Sequence, residues 1–296
     1  MDKGIIIKAV SGFYYVETEK TVYECKARGT FRKDSLSPLA GDIVEFSEIS
    51  DSKGVIEHIC ERKNFLDRPP VANIDKMFIV SSYTTPAPSP LIIDSMTVIA
   101  DDKSIEPVIV FNKCDMGGFG ELPDIYASAG FRVYTVSAKE GMGLEAIKAE
   151  LSGCVSVFAG NTGVGKSSLL NALYPDLALK TGDVSQKLGR GRHTTRHVEL
   201  FPLGDGTYVT DTPGFSSLDI EQSSISYKEN LQFAFREFAD YIGKCKFTSC
   251  THTGEKGCAV VSALEHGRIS QSRYDSYKYL YAVLAKRKDW EIRQSQ

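Results

Sequence analysis

No stretch of this sequence stays apolar long enough to cross a bilayer. The N-terminal run GIIIKAV is short and has lysine on both sides, so neither a membrane span nor a leader is expected. Nor is there an excess of charge of one sign. With 35 basic and 38 acidic side chains the net charge is -3, so no general field draws the chain to nucleic acid or membrane, and any such contact must be local. Internal repeats and low-complexity tracts are absent too, and 42% hydrophobic with 25% charged residues excludes a disordered chain. A cytoplasmic protein without membrane contact is expected, with a monomer as the expectation for its oligomeric state. Cysteine is sparse and odd in number, at seven. Cys25, Cys60, Cys114 and Cys154 are scattered through apolar or strand-like sequence and read as reduced, buried thiols. The other three cluster near the C-terminus.

Residues 1–66 contain the alternating runs GIIIKAV, GFYYVET, TVYECKAR, DIVEFSEI and GVIEHIC, separated by polar turns. Five strands of this kind fit a small barrel of the OB type. RPPVAN, Arg68 to Asn73, reads as punctuation, since neither a helix nor a central strand tolerates its Pro-Pro pair. From Ile74 onward apolar strand-like runs alternate with helical stretches, the pattern of an α/β unit on a mostly parallel sheet. After about Leu218 the sequence turns helical and polar.

The motifs fall at the C-terminal ends of those strands, where open α/β sheets bind ligands. GNTGVGKSS follows the strand-like CVSVFAG and opens a helix. In it Gly160, Asn161, Thr162, Gly163, Val164 and Gly165 form a loop whose N-H groups converge on phosphate, at a helix N-terminus whose dipole favours the anion. Lys166 would reach the β- and γ-phosphates, Ser167 would ligate magnesium, and Ser168 completes the motif. DTPG follows another strand-like run. Asp211 would hold the magnesium, and the Gly214 N-H would approach the γ-phosphate. NKCD offers Asp115 to the N1-H and exocyclic amine of guanine, with Asn112 bracing neighbouring loops and the Lys113 stem lying against the base. Alone, NKCD could be a polar loop. SAK, with Ser137 and Ala138, comes after the next strand and can turn a backbone N-H toward the guanine O6, which makes the pair far more specific.

The order is the reverse of the usual one, with base-reading loops first and phosphate loops second. A sheet keeps its strand neighbours when its old ends are joined and it is cut elsewhere, so a circularly permuted GTPase domain is expected. With the barrel in front and a Cys/His knot behind, the chain as a whole resembles the RsgA family of small-ribosomal-subunit biogenesis GTPases. That resemblance rests on NKCD, SAK, GNTGVGKSS, GRGRHTTRHVEL and DTPGF in permuted order. It implies an OB-fold RNA-binding domain over 1–66, a permuted GTPase domain over 67–222 and a zinc-binding domain over 223–296. It also implies a GTP hydrolase, slow alone, that acts late in 30S subunit assembly, touches rRNA and is stimulated by the subunit. The rival readings are a non-catalytic RNA-binding protein that uses GTP as a ligand, and a P-loop ATPase or kinase, which NKCD disfavours.

Cys245, Cys250, His252 and Cys258 are spaced for a closed, structural zinc ion, and the family's ligands match that spacing. Lys26, Arg28, Arg32 and Lys33, around Phe31, suit phosphate contacts and base stacking on RNA, but are equally the composition of a solvated loop. The basic residues of the C-terminal helix, Arg273 among them, are either a third contact or a soluble face. One absence bears on the chemistry. Ras-like GTPases orient the attacking water with a glutamine after DxxG, whereas Phe215 stands here. His193 is the candidate in its place, in a basic stretch where Thr195 is the first choice to close on the magnesium. A surface or RNA-contacting histidine is the alternative.

Overall fold

Alternation in the first strands places one set of side chains in a shared interior. The computed structural model describes residues 1–28, 37–179, 198–211 and 228–286. Strands β1 (Asp2–Val10), β2 (Phe13–Glu17), β3 (Val22–Ala27), β4 (Ile43–Ser50) and β5 (Lys53–Ile59) close in the order β1-β2-β3-β5-β4, with β4 returning to β1. The pairs are antiparallel except β3 with β5. This is the five-stranded OB barrel expected from the sequence. Ile6, Val16, Val44, Phe46 and Ile56 fill it completely enough to exclude solvent.

RPPVAN is more than punctuation. β6 (Phe65–Asp67) and β7 (Pro70–Ala72) form a separate two-stranded ribbon. Pro70 opens its strand, where the missing N-H breaks no ladder. Asn64 then pins the chain as it leaves, exchanging 2.8 Å bonds with both backbone groups of Ile74.

The second sheet comprises β8 (Lys76–Ser82), β9 (Glu106–Asn112), β10 (Arg132–Thr135), β11 (Val155–Ala159), β12 (Phe201–Pro202) and β13 (Tyr208–Asp211), in the order β10-β9-β8-β11-β13-β12. Only β12 runs antiparallel to its neighbour. The strand feeding the phosphate loop, β11, lies in the middle between β8 and β13, although it follows β8, β9 and β10 in the chain. That is the circular permutation: the neighbours are kept and the connection is moved. Helices α1 (Pro90–Asp102) and α2 (Leu122–Ser128) join β8 to β9 and β9 to β10, and α3 (Leu144–Leu151) makes the relocated join from β10 to β11. Glu150 on α3 fastens that join. It accepts from Lys76 Nζ at 2.6 Å, Arg132 Nη1 at 2.8 Å and Tyr134 Oη at 2.8 Å. Burial works against its charge, but these donors outweigh burial and bring the carboxyl down to about 2.

After α4 (Lys166–Leu173) and the β12–β13 pair, the C-terminal module contains α5 (Leu231–Ala234), α6 (Ala259–Glu265) and α7 (Gln271–Leu284). Its core, with Phe235, Phe238, Tyr277 and Leu280, continues onto Val98 of α1. Here the structure corrects the sequence reading of α7. Arg273 is on neither a contact surface nor a soluble face but is 1% exposed. Its guanidinium donates to Asp94 Oδ1 at 2.6 Å and to Glu237 at 2.7 and 2.9 Å, and lies 4.6 Å from the Phe235 ring centroid. Helical spacing explains the position, since Arg273, Tyr277, Leu280 and Leu284 share the buried stripe. Among the described residues no helix is long and apolar enough to cross a membrane.

Candidate nucleotide site and metal centre

β11 delivers the chain to Gly160 beneath the sheet neighbour β8. A Cβ on Gly160 would run into the Val80 carbonyl oxygen, and its φ of 139° is one that only glycine adopts without strain. The loop turns again at Gly165, φ 95°, where a Cβ would strike the Asn112 amide. Both glycines are therefore required by close packing as well as by conformation. α4 starts at Lys166, so its first N-H groups face the concave side of the loop. Lys166 curls back over that loop, donating to Gly160 O at 2.7 Å and Asn161 O at 3.2 Å. Thr162 and Gly163 are exposed, Asn161 and Ser167 half-buried, Val164 buried, and Ser168 exposed on the first turn of α4.

The base-reading loops meet the phosphate loop through one side chain. Asn112, at the end of β9 and 1% exposed, donates from Nδ2 to Val164 O at 3.0 Å, while its Oδ1 accepts from Lys113 N at 2.8 Å and Ala138 N at 3.1 Å. Three loops far apart in sequence are thus held as one surface. Lys113 adopts the left-handed region, φ 68°, which turns its side chain back across the phosphate loop to donate to Gly163 O at 2.7 Å and Thr85 O at 3.2 Å. Asp115 is exposed, with Oδ1 accepting from the Ser137 hydroxyl at 2.5 Å.

Two features here were missed by sequence reasoning. SAK was read for a backbone N-H, yet the Ser137 hydroxyl aims the Asp115 carboxylate, and the Ala138 N-H donates to Asn112. The β8–α1 loop, at Thr85, also braces the lysine. No motif marks that loop, because its contribution is a backbone carbonyl that any residue would supply.

In the C-terminal module the ligand atoms of Cys245, Cys250, His252 and Cys258 all lie within 4.8 Å of one another. His252 Nδ1 is 3.5 Å from Cys245 Sγ and 3.4 Å from Cys258 Sγ. Its other ring nitrogen, Nε2, is 2.9 Å from Gln232 Oε1 on α5, which fixes the tautomer that leaves Nδ1 a lone pair directed at the thiols. Burial pushes the Cys250 thiol up to about 12 and raises Cys258 as well, and burial lowers the pKa of His252. Three crowded soft donors and a neutral imidazole, with His252 and Cys258 buried and Cys245 and Cys250 half-buried, fit a tetrahedral cation without an open coordination position. Glu255 ties the loop between the ligands, accepting from the N-H groups of Thr251, Thr253 and Gly254 at 2.7, 2.9 and 3.1 Å. Gln232 carries no sequence signal, being distant in the chain from any ligand.

The family models agree with this layout. Residues 3–56 match the RsgA N-terminal domain and residues 59–221 match the RsgA GTPase. The chain belongs to the RsgA family. A small ribosomal subunit biogenesis GTPase RsgA from Caldanaerobacter subterraneus subsp. tengcongensis is 46% identical over 278 residues, covering 93% of each chain. One from a Geobacillus species is 45% identical over 97% of this chain and 99% of its own. Among solved structures, YjeQ from Thermotoga maritima superposes with a TM-score of 0.82 at 37% identity, over 97% of this chain and 99% of that one. YloQ, a circularly permuted GTPase, gives 0.80 at 36% identity, over 97% and 96%.

Other residues singled out in the sequence take varied positions on this RsgA fold. On the barrel, Lys26 lies 5.1 Å from the Phe13 ring centroid, and Arg28 pairs with Glu57 at 2.8 Å. Half of the basic cluster thus already has partners on the protein. Cys25 is buried, whereas Cys60, Cys114 and Cys154 are only half-buried. The backbone of Asp211 pairs with Phe158 of β11, so strand register alone brings it beside the phosphate loop. Arg32, Lys33, His193, Thr195 and Gly214, and the side chain of Asp211, lie outside the described residues.

Proposed function

We propose that this RsgA-family GTPase hydrolyses GTP as a late assembly factor of the 30S ribosomal subunit, contacting rRNA and accelerated by the subunit. The observation carrying the nucleotide reading is the Asn112 side chain, which locks the base-reading, SAK and phosphate loops into one concave face. Asp115, aimed by Ser137, accepts from guanine N1-H and the exocyclic amine, a pattern adenine lacks. The N-H groups of residues 160–165 and the α4 N-terminus receive the phosphates, with Lys166 leaving its carbonyl partners for the β- and γ-oxygens. Ser167, Thr195 and Asp211 would hold magnesium, which when bound neutralises charge developing on the phosphate oxygens. Support for this reading comes from Ser167 opening α4 just after β11 and from the Asp211 backbone pairing with Phe158 of that same strand.

Phe215 has no group with which to orient water, and His193 fills that role, with Thr195 completing the magnesium shell. His193→Ala should leave GTP and 30S binding nearly intact yet lower subunit-stimulated turnover at least about tenfold, within the range for a positioned proton-handling group. Single-turnover hydrolysis with and without 30S subunits measures this, and near-normal stimulated turnover would transfer the role to a group supplied by the ribosome. The same assay on the unmodified protein, with GTP and ATP in competition, tests the function itself. Hydrolysis that subunits never accelerate would defeat it.

The Cys245, Cys250, His252 and Cys258 centre takes zinc, as soft thiolates with one imidazole favour, and serves the fold. Lys26, Arg28, Arg32 and Lys33 are the RNA contact of the barrel. Changing all four to alanine should weaken 30S binding and flatten its salt dependence, while GTP affinity holds. Unaltered subunit binding at every salt concentration would make them solvated side chains only. The protein acts as a cytoplasmic monomer.

A further inference from the structure

The barrel grips the GTPase sheet along its β12–β13 edge. Leu200 N donates to Ile7 O at 2.8 Å, and Glu199 faces Lys8 as an antiparallel bridge pair. Lys8 Nζ closes that pair with a 2.9 Å bond to Glu199 Oε2. Residues 198–200 run straight into β12, the partner of β13. A second contact reaches β13 itself, where Tyr208 packs against the same core as Ile7 and Ile43 of the barrel. Leu200, 1% exposed, is packed in one core with Ile5 of the barrel and Val157 of the phosphate-loop strand.

Both edges of this arrangement bear on the reaction. Glu199 follows Thr195 and His193 closely in the chain, and Tyr208 precedes Asp211 in the same strand. At the other end of the intervening segment, Asn171 of α4 exchanges 2.8 Å bonds with both backbone groups of Leu179. Leu179 is therefore held on the GTPase domain and Glu199 on the barrel.

We propose that Lys8 and Glu199 are positioning residues for GTP hydrolysis, fixing the barrel to the strand that supports the phosphate side, so that seating the barrel on RNA sets the stimulated rate. This rests on the reading of the protein as a subunit-stimulated GTPase. The junction acts as a rigid mount: it stays closed, and its effect is on turnover and not on affinity for GTP or the subunit.

The ion pair is about a third exposed, at 35% and 40%, so its loss alone is limited to roughly fivefold in rate. Charge reversal adds repulsion to that loss. Lys8→Glu and Glu199→Lys should each lower subunit-stimulated turnover by about five- to tenfold. Intrinsic turnover, GTP affinity and 30S affinity should stay level. The doubly reversed protein should recover. Lys8→Cys with Glu199→Cys supplies a second test, because facing positions of an antiparallel bridge suit a disulfide. The oxidised crosslinked protein should keep full stimulation, as a rigid mount requires. Unchanged stimulation in the single reversals, no recovery in the double, or stimulation lost on crosslinking would each overturn the proposal. If 30S subunits fail to stimulate the unmodified protein, the underlying reading falls first, and this inference with it.

Discussion

Asp115→Asn is expected to turn a GTP site into one that prefers xanthosine triphosphate. In the proposed site the carboxylate would accept from both N1-H and the exocyclic amine of guanine, whereas the amide can accept only one and sets its N-H₂ against the other donor. A hydrogen bond to a charged group contributes about 1.5–3 kcal/mol, so GTP affinity should fall on the order of a hundredfold. Xanthine carries a carbonyl oxygen where guanine has the amine, and the new amide donor should recover about that much. Asp115 is exposed and its Ser137 bond survives in the amide, so folding should be unaffected. Competition between the two nucleotides for a fluorescent analogue, with a thermal melt as control, reads both effects. An unchanged preference would remove Asp115 from the base site.

Removing the metal should cost the C-terminal module its fold. Structural zinc contributes about 10–16 kcal/mol in small peptides, as much as the whole stability of an ordinary domain. Cys245, Cys250, His252 and Cys258 come together within a short, loop-rich segment, and Phe238 and Tyr277 pack beside it. Cys250→Ala, or a chelator, should therefore lose the module in one step and lower the melting temperature of the GTPase domain through the shared core at Val98 and the Arg273–Asp94 pair. Metal content by mass spectrometry, alongside melts with and without chelator, decides the matter. A metal-free preparation that melts normally would count against the centre.

Much of this was legible in the sequence because its determinants are local. The barrel strands alternate with period two, each nucleotide motif sits where a strand ends, and the metal ligands lie within one short segment. What escaped depends on residues distant in the chain. Arg273 looked like one more cation on a basic helix, although the apolar spacing of Tyr277, Leu280 and Leu284 already placed it on the buried stripe. Its partners Asp94 and Glu237 lie on other elements, and nothing local announces them. Gln232 behind His252 and Thr85 behind Lys113 act through single hydrogen bonds that no spacing predicts. RPPVAN was undervalued because proline was weighed against a central strand, not against the free edge of a two-stranded ribbon.

The relocated join has a mechanical consequence. In a GTPase domain of ordinary chain order, the segment after DTPG turns back to feed the next strand of the same sheet, and any load it feels is shared with that sheet. Here β13 is the last strand among the described residues, and the chain after it leads onward to the C-terminal module, which leans on α1. A load on that module therefore reaches the sheet through α1, by way of Val98 and the Arg273–Asp94 pair. Glu150, clamping the α3 join at the start of β8 and β10, stiffens the opposite end of the sheet. Force from the C-terminal module is thus spread over α1 and the sheet beneath it, and the Glu150 clamp limits how far the strands can give.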